Sequence, residues 1–187
     1  MDEALFRAIN GLAGHSVWLD SVMLVLGHWS TFVIPGGVLL AYWAWGKRWE
    51  ALTGAVTLTA VVVLADFVGA RVKQLVARPR PCRLFEHVTQ VAGCGGTFSF
   101  PSNHAMNTAA AAAFLQVLYP ATGWISWPLV ALIGLSRVYV GAHFVTDAIG
   151  AWILGGLIGA GAGLIFSRSR FFRAVAKDAR RHAAEKA

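Results

Sequence analysis

Charged residues are scarce in this chain: Asp, Glu, Lys and Arg together make up 13% of its 187 residues. A soluble domain carries roughly 25% charged residues, so the scarcity excludes an average soluble domain. Hydrophobic residues reach 57%, and several apolar runs approach the roughly 20 residues that span a bilayer as a helix. The composition therefore predicts an all-α, polytopic membrane protein that forms one domain over residues 1–187.

Two other features are missing from the sequence. The chain begins Met1-Asp2-Glu3, with no basic region before its apolar residues. It therefore lacks the pattern of a cleavable signal peptide, and the apolar runs themselves are expected to direct insertion. Internal repeats and low-complexity linkers are absent as well, which argues against a repeat array.

Five apolar segments are predicted to cross the membrane. They cover residues 29–46, 51–72, 103–119, 124–141 and 146–166. Residues 1–27 instead interrupt apolar residues with Arg7, Asn10 and Asp20, a pattern typical of an amphipathic helix at the membrane interface. A sixth span that starts near residue 15 is the alternative.

Small residues predict close packing between two of these segments. In the fifth they recur at every fourth position, at Ala151, Gly155, Gly159 and Gly163. Such a face lets two helix backbones approach each other in a membrane. Residues 109–113 of the third segment are all alanine and suit the same purpose.

Basic residues set the predicted orientation. Lys47 and Arg48 join the first two spans, and the tail 167–187 carries seven Lys and Arg against two acidic residues. The positive-inside rule places both in the cytoplasm, so the 73–102 loop faces outward. A basic tail also suits nucleic acid, but its place directly after an apolar span favours a topological role, and no nucleic-acid partner is expected.

His143 and Asp147 form the first candidate catalytic pair. They stand four residues apart at the start of the fifth span, so they share a helix face. A carboxylate on one imidazole nitrogen fixes the tautomer and leaves the other nitrogen as nucleophile or base. A surface ion pair or a fragment of a metal site is the alternative.

His104 follows Pro101-Ser102-Asn103 at the start of the third span. Ser102 is a natural helix N-cap, and the backbone amides of a helix start bind phosphate oxygens. Lys73, Arg80 and Arg137 add the positive charge that a phosphoryl transition state requires. Lys73 alone is also explained by snorkelling, whereas an unpaired arginine at position 137, inside an apolar run, would be costly.

These residues belong to three motifs within residues 73–147: Lys-x6-Arg-Pro, Pro-Ser-x-His and Ser-Arg-x5-His-x3-Asp. In this order they resemble the type-2 phosphatidic acid phosphatase family, which also includes vanadium haloperoxidases and glucose-6-phosphatase. Arg71-x6-Arg78-Pro79 is a competing register, but it begins with Arg where the family has Lys. The family usually has Gly where this chain has Asn103, which bears on substrate clearance.

The resemblance implies a role for each matching residue. His143 would attack phosphorus and form a phosphohistidine, with Asp147 orienting it, and His104 would protonate the leaving group and then activate water. The phosphate oxygens would be bound by Lys73, Arg80, Ser102, Arg137 and the backbone amide of Asn103. No metal and no cofactor is expected.

The predicted function is a metal-independent membrane lipid phosphatase or diphosphatase, with undecaprenyl diphosphate favoured by family analogy. Phosphatidylglycerophosphate, phosphatidate and lipid A are alternative substrates. More distant alternatives are a haloperoxidase-like enzyme and a non-catalytic lipid-binding protein. The bilayer and a lipid substrate are the expected partners, and the oligomeric state is left open.

Two further expectations concern single side chains. Cys82 and Cys94 are the two cysteines of the chain and both lie in the outward loop, so a disulfide between them would steady the segment that presents Arg80. Asp66 lies inside the second span, where it suits either an ion pair with a site cation or a structural hydrogen bond.

Overall fold

The computed structural model describes residues 1–28, 41, 45 and 48–169. Within these ranges the helices are α1 (Asp2–Asn10), α2 (Val17–Gly27), α3 (Arg48–Val76), α4 (Pro81–Leu84), α5 (Asn103–Leu118), α6 (Gly123–Tyr139) and α7 (Val145–Arg168). The described part contains no strand, only an isolated bridge between Pro79 and Phe98. The all-α prediction is confirmed for these residues.

Two of the described helices are long and apolar enough to cross a membrane, over Leu52–Val76 and Val145–Arg168. Helices α5 and α6 lie where the third and fourth spans were predicted, but they are 16 and 17 residues long, short of the roughly 20 residues that cross a bilayer. The basic tail from residue 170 onward lies outside the described residues, and so does the predicted span at residues 29–46 apart from residues 41 and 45. The count of five spans therefore stays a prediction.

Helix α5 is the centre of the helix packing. It contacts α7 most extensively, and it also packs on α3 and α6. Small side chains dominate the core around it, including Ala105, Ala110, Ala148 and Ala151, with Phe114 as the large member. Because small residues let helix backbones come close, α5 and α7 lie nearly in contact along their length.

The glycines of α7 confirm the predicted packing face. Gly155, Gly159 and Gly163 are buried, and a Cβ atom added at Gly155 or Gly159 would collide with the carbonyl oxygens of Met106 or Ala110 on α5. Only a residue without a side chain fits against these backbone atoms. The register between α5 and α7 is therefore set by steric fit.

The N-terminal region is two helices rather than one. Phe6 of α1 is buried and packs its ring against those of Phe85 and Phe144, with centroids 6.2 and 5.6 Å away. The Asn10 side chain donates to the carbonyl oxygens of Thr89 and Tyr139. Helix α1 thus packs against the loops that precede α5 and α7, so part of the region predicted to be interfacial is buried in the protein.

Cys82 and Cys94 form a disulfide in the structure, with their Cα atoms 5.8 Å apart. The bridge joins α4, which contains Cys82, to the middle of the loop between α4 and α5. Gly95, next to Cys94, lies against the Arg80 guanidinium: a Cβ atom built at Gly95 would be 3.3 Å from Nη1 of Arg80. The disulfide therefore restrains the segment that packs against Arg80.

We expect Gly159→Ala to destabilise the protein by about 1–3 kcal/mol, since the added methyl group has to displace the α5 backbone. Gly161→Ala is the matched control, because it lies on the same helix and its Cβ would meet nothing within 4 Å. Thermal unfolding in detergent measures the difference. Equal unfolding temperatures for the two variants would contradict the steric account.

Protein purified without reductant should contain no thiol that alkylates, which mass spectrometry after denaturation can check. Replacing both Cys82 and Cys94 by Ser should lower the free energy of unfolding by about 2–4 kcal/mol, because the open loop gains freedom in the unfolded chain. Two alkylated cysteines in the unreduced protein would show that the bridge does not form.

Candidate active site

The three motifs converge at one end of the helix bundle. The C-terminal ends of α3 and α6 and the N-terminal ends of α5 and α7 meet there. Lys73 at the end of α3 donates from Nζ to the Pro101 carbonyl oxygen, at 2.8 Å, just before α5. The backbone N–H of Ser102 donates to the Asp147 carbonyl oxygen at 3.3 Å. Residues 73 to 147 are thus brought together by the fold.

The two arginines of the motifs reach the same region from opposite sides. Arg80 donates from Nη1 to the Ala142 carbonyl oxygen at 3.2 Å, directly before His143. Arg137 donates from Nη1 to the Gly27 carbonyl oxygen at 3.4 Å, at the end of α2. Lys73 and Arg80 both act electrostatically on His104 and on His143. Lys73 and Arg80 therefore lie near both histidines.

His143 is buried, with only 2% of its surface exposed. Its backbone N–H donates to the Arg137 carbonyl oxygen at 3.2 Å, which fixes the turn between α6 and α7. Burial lowers the pKa of His143 to about 4. The imidazole is therefore neutral at physiological pH, and one ring nitrogen keeps a lone pair for nucleophilic attack.

Asp147 is fully buried beside His143. Its Oδ2 accepts a hydrogen bond from the Phe144 backbone N–H at 2.8 Å, which caps the start of α7. The same oxygen lies 3.6 Å from Nδ1 of His143. This is longer than a hydrogen bond, although catalytic hydrogen bonds are often long before substrate binds. The carboxylate is placed to orient the imidazole through Nδ1.

His104 faces a cavity of about 320 Å³. The lining combines apolar side chains such as Leu26 and Ile133 with the polar side chains of Asp66, Asn103 and Asn107. His143 is not among the residues that line it. The two histidines therefore differ in surroundings: His104 borders open space, whereas His143 is enclosed.

Asp66 holds the residue that departs from the family pattern. Its Oδ1 accepts hydrogen bonds from Nδ2 of Asn103 at 2.9 Å and from Nδ2 of Asn107 at 3.0 Å. Since a carboxylate only accepts, it fixes both amide groups with their NH₂ ends towards α3. Of the two interpretations weighed for Asp66, the structure shows the hydrogen bond, but the side chain is exposed rather than buried.

Several buried polar atoms of the site have no hydrogen-bond partner among the described residues. They are Nε of Arg80, Oγ of Ser102, Nε of Arg137 and Nδ1 of His143. Ser102 occupies the N-cap position of α5, as predicted, but its hydroxyl makes no capping bond. Buried polar groups are almost always paired, so four unpaired ones on three motifs indicate a site for a polar ligand.

The sequence interpretation missed Arg78. Its Nη1 donates to Oδ1 of Asp147 at 2.7 Å, so the arginine of the rejected register touches the carboxylate beside His143. The repeated Arg-Pro pair at residues 78–81 was the available signal. In the part of the chain that the structure describes, no group of three or more His, Cys, Asp or Glu is suited to hold a metal ion.

Known proteins are similar to this chain in sequence. The chain is 31% identical over 165 residues to undecaprenyl-diphosphatase BcrC of Bacillus subtilis, which covers 85% of this chain and 81% of that protein. It is also 31% identical over 168 residues to lipid A 4'-phosphatase of Porphyromonas gingivalis, covering 85% and 70% of the two chains.

A solved structure has a similar fold. The crystal structure of a transmembrane PAP2 type phosphatidylglycerolphosphate phosphatase from Bacillus subtilis superposes with a TM-score of 0.63 at 29% identity, over 91% of this chain and 87% of that one. Residues 51–171 match the model of the PAP2 superfamily, and this range contains all three motifs. The chain belongs to the PAP2 superfamily.

Proposed function

We propose that this protein is an integral membrane lipid phosphatase that removes a terminal phosphate through a phosphohistidine and without a metal ion. As a member of its family it is a hydrolase of phosphoric esters. The observation that carries the mechanism is the buried, neutral His143 next to Asp147, surrounded by cations with unpaired donor atoms.

In the first step, Nε2 of His143 attacks the phosphorus. Nδ1 faces Asp147, so Nε2 is the nitrogen left for the new N–P bond. As this bond forms, the bond between phosphorus and the leaving oxygen breaks, and His104 donates a proton to that oxygen. For this role the bound phosphate anion has to keep His104 protonated against burial and the neighbouring cations. The imidazole ring becomes positively charged, and the Asp147 carboxylate stabilises this charge.

In the second step, water releases the phosphate. His104, now neutral, accepts a proton from a water molecule whose oxygen attacks the phosphorus. The N–P bond breaks, and its electron pair returns to Nε2. Neutral His143, protonated His104 and inorganic phosphate are the products, so the site is restored with no change in oxidation state.

The cations stabilise the charge on the phosphoryl oxygens during both steps. Nε of Arg80 and Nε of Arg137 are buried and unpaired, so they can donate to an oxygen with no competing protein bond to break. The Ser102 hydroxyl is available in the same way. Lys73 adds a mobile point charge. The backbone N–H of Asn103 is the first of α5, and the start of a helix favours a bound anion.

Asn103 is compatible with this arrangement. The hydrogen bond to Asp66 ties its amide group to α3, and the backbone N–H needs no particular side chain. The cavity beside His104 is lined by apolar side chains such as Leu26 and Ile133 as well as by polar ones such as Asn107. Its apolar part suits the first part of a lipid chain next to its phosphate.

We favour undecaprenyl diphosphate as substrate, because a relative of similar length is named for it. Relatives named for lipid A and for phosphatidylglycerolphosphate keep those substrates as alternatives. Phosphatidate stays an alternative because of the family resemblance. The enzyme is proposed to be a multi-pass protein of a bacterial inner membrane, with the site facing the periplasm and the C-terminus in the cytoplasm. The oligomeric state does not enter the mechanism.

His143→Ala should abolish phosphate release, since no other group forms the N–P bond, and EDTA should leave the wild-type rate unchanged. Phosphate release from undecaprenyl diphosphate in detergent micelles measures both. Glu86→Gln on the exposed loop is a control for purification and folding. Strong inhibition by EDTA would rule out the metal-free mechanism, and activity in His143→Ala would rule out the nucleophile.

Among lipids presented at equal concentration, undecaprenyl diphosphate should give the highest kcat/KM. The panel contains undecaprenyl diphosphate, phosphatidylglycerophosphate, phosphatidate and lipid A. A higher value for another lipid would reassign the substrate while leaving the mechanism intact. Halide oxidation by vanadate-loaded protein would instead support the haloperoxidase-like alternative. No phosphate release from any of the four lipids would support the non-catalytic alternative.

A further inference from the structure

Arg78 links the N-terminal helix to the carboxylate beside the nucleophile. From Nη1 it donates to Oδ1 of Asp147 at 2.7 Å, and from Nη2 it donates to Oδ2 of Asp2 at 2.7 Å. Its guanidinium carbon lies 3.9 Å from the centroid of the Phe144 ring. Two carboxylates and an aromatic face therefore hold this side chain in one place.

The contact with Asp147 matters because that carboxylate is fully buried. A buried carboxylate is costly unless a charge and hydrogen bonds compensate it. Arg78 occupies Oδ1, and the Phe144 N–H occupies Oδ2. Together these two donors fix the rotation of the carboxylate, and with it the direction in which Oδ2 faces His143.

Asp2 completes the arrangement from the other side. Its Oδ1 accepts from the Thr146 backbone N–H at 3.2 Å, and its Oδ2 accepts from the Thr146 hydroxyl. Burial alone raises the pKa of the Asp2 carboxyl, but the hydrogen bonds from Arg78 and Thr146 outweigh burial and bring that pKa below its ordinary value. Asp2 is therefore an anion that holds both Arg78 and the first turn of α7.

We propose that Arg78 is a positioning residue for catalysis, which orients the Asp147 carboxylate and weakens the attraction between that carboxylate and a protonated His143. Asp2 in turn positions Arg78. The proposal rests on the proposed role of His143 as nucleophile. It gives the N-terminal helix a part in the reaction, although no residue of that helix touches the reacting atoms.

The charges around His143 predict the direction of the effect on pH dependence. Lys73, Arg80 and Asp147 are the charged groups that act on His143 from α3, α4 and α7, and Arg78 acts through Asp147. Without the Arg78 cation, the negative charge of Asp147 is no longer compensated from that side. Asp147 therefore stabilises a protonated His143 more strongly. The pKa of His143 therefore rises, and the acid limb of kcat/KM, which reports neutral His143, moves to higher pH.

The test compares Arg78→Gln with Arg83→Gln, which removes the same charge from an exposed position on the nearby helix α4. Arg78→Gln should lower kcat on undecaprenyl diphosphate by about 10- to 100-fold, as loss of a supporting partner does in metal sites. Its KM should stay nearly unchanged, and the acid limb of kcat/KM should move to higher pH. Arg78→Lys keeps the charge, so its acid limb should stay at the wild-type pH. Arg83→Gln should match wild type in all three.

Asp2→Asn gives a second comparison that does not remove a cation from the site. Its matched control is Glu3→Gln, which breaks only the exposed ion pair with Arg7 on the same helix. Asp2→Asn should lower kcat and shift the acid limb in the same direction as Arg78→Gln, but less. If Arg78→Gln does not fold, the comparison of Arg78→Lys with Asp2→Asn decides the proposal.

Results of two kinds would overturn the proposal. In the first, Arg78→Gln and Arg83→Gln have the same kcat and acid limb. In the second, Arg78→Gln changes only the unfolding temperature or KM, which would assign Arg78 a purely structural or substrate-binding role. Activity in His143→Ala would instead refute the proposed function itself, so the two failures are distinguishable in one set of assays.

Discussion

The close contact between α5 and α7 is the constraint on which the rest of the structure depends. Gly155 and Gly159 press directly against the α5 backbone at Met106 and Ala110, so the two helices have one possible register. That register brings the start of α5 to the start of α7, where the Ser102 N–H meets the Asp147 carbonyl oxygen. The Pro-Ser-x-His motif and the His-x3-Asp motif then become two sides of one site.

Charge in a poorly hydrated region is the second constraint. Asp147 and His143 are buried, and the motif cations Lys73 and Arg80 act on His143. In such surroundings each charge needs a partner, and each partner limits the orientation of the next. Arg78 neutralises Asp147, and Asp2 neutralises Arg78. Arg80 and Arg137 are instead anchored by single carbonyl oxygens and keep an unpaired Nε, which makes them available to a phosphate.

Much of the helix layout was predictable, because it follows from runs of apolar residues and from the residues that end them. The predicted segments 103–119, 124–141 and 146–166 lie within three residues of α5, α6 and α7 at each boundary. The N-terminal region was less predictable. Its polar residues indicated an amphipathic surface helix, but Asn10 is buried with its amide bonded to Thr89 and Tyr139, since a distant loop supplies the partners that make this burial possible.

The sequence by itself determined which residues could take part in phosphate chemistry, because the residue types and the order of the motifs identify the candidate acids, bases and cations. It also determined the small-residue face of α7, because a spacing of four defines one side of a helix. Only the tertiary structure decided how these residues are partnered. Asp66 binds Asn103, 37 positions away in the sequence, and Arg78 rather than a solvent molecule binds Asp147, 69 positions away. Local patterns carry no information about such pairs, since they form only when packed helices bring distant side chains together.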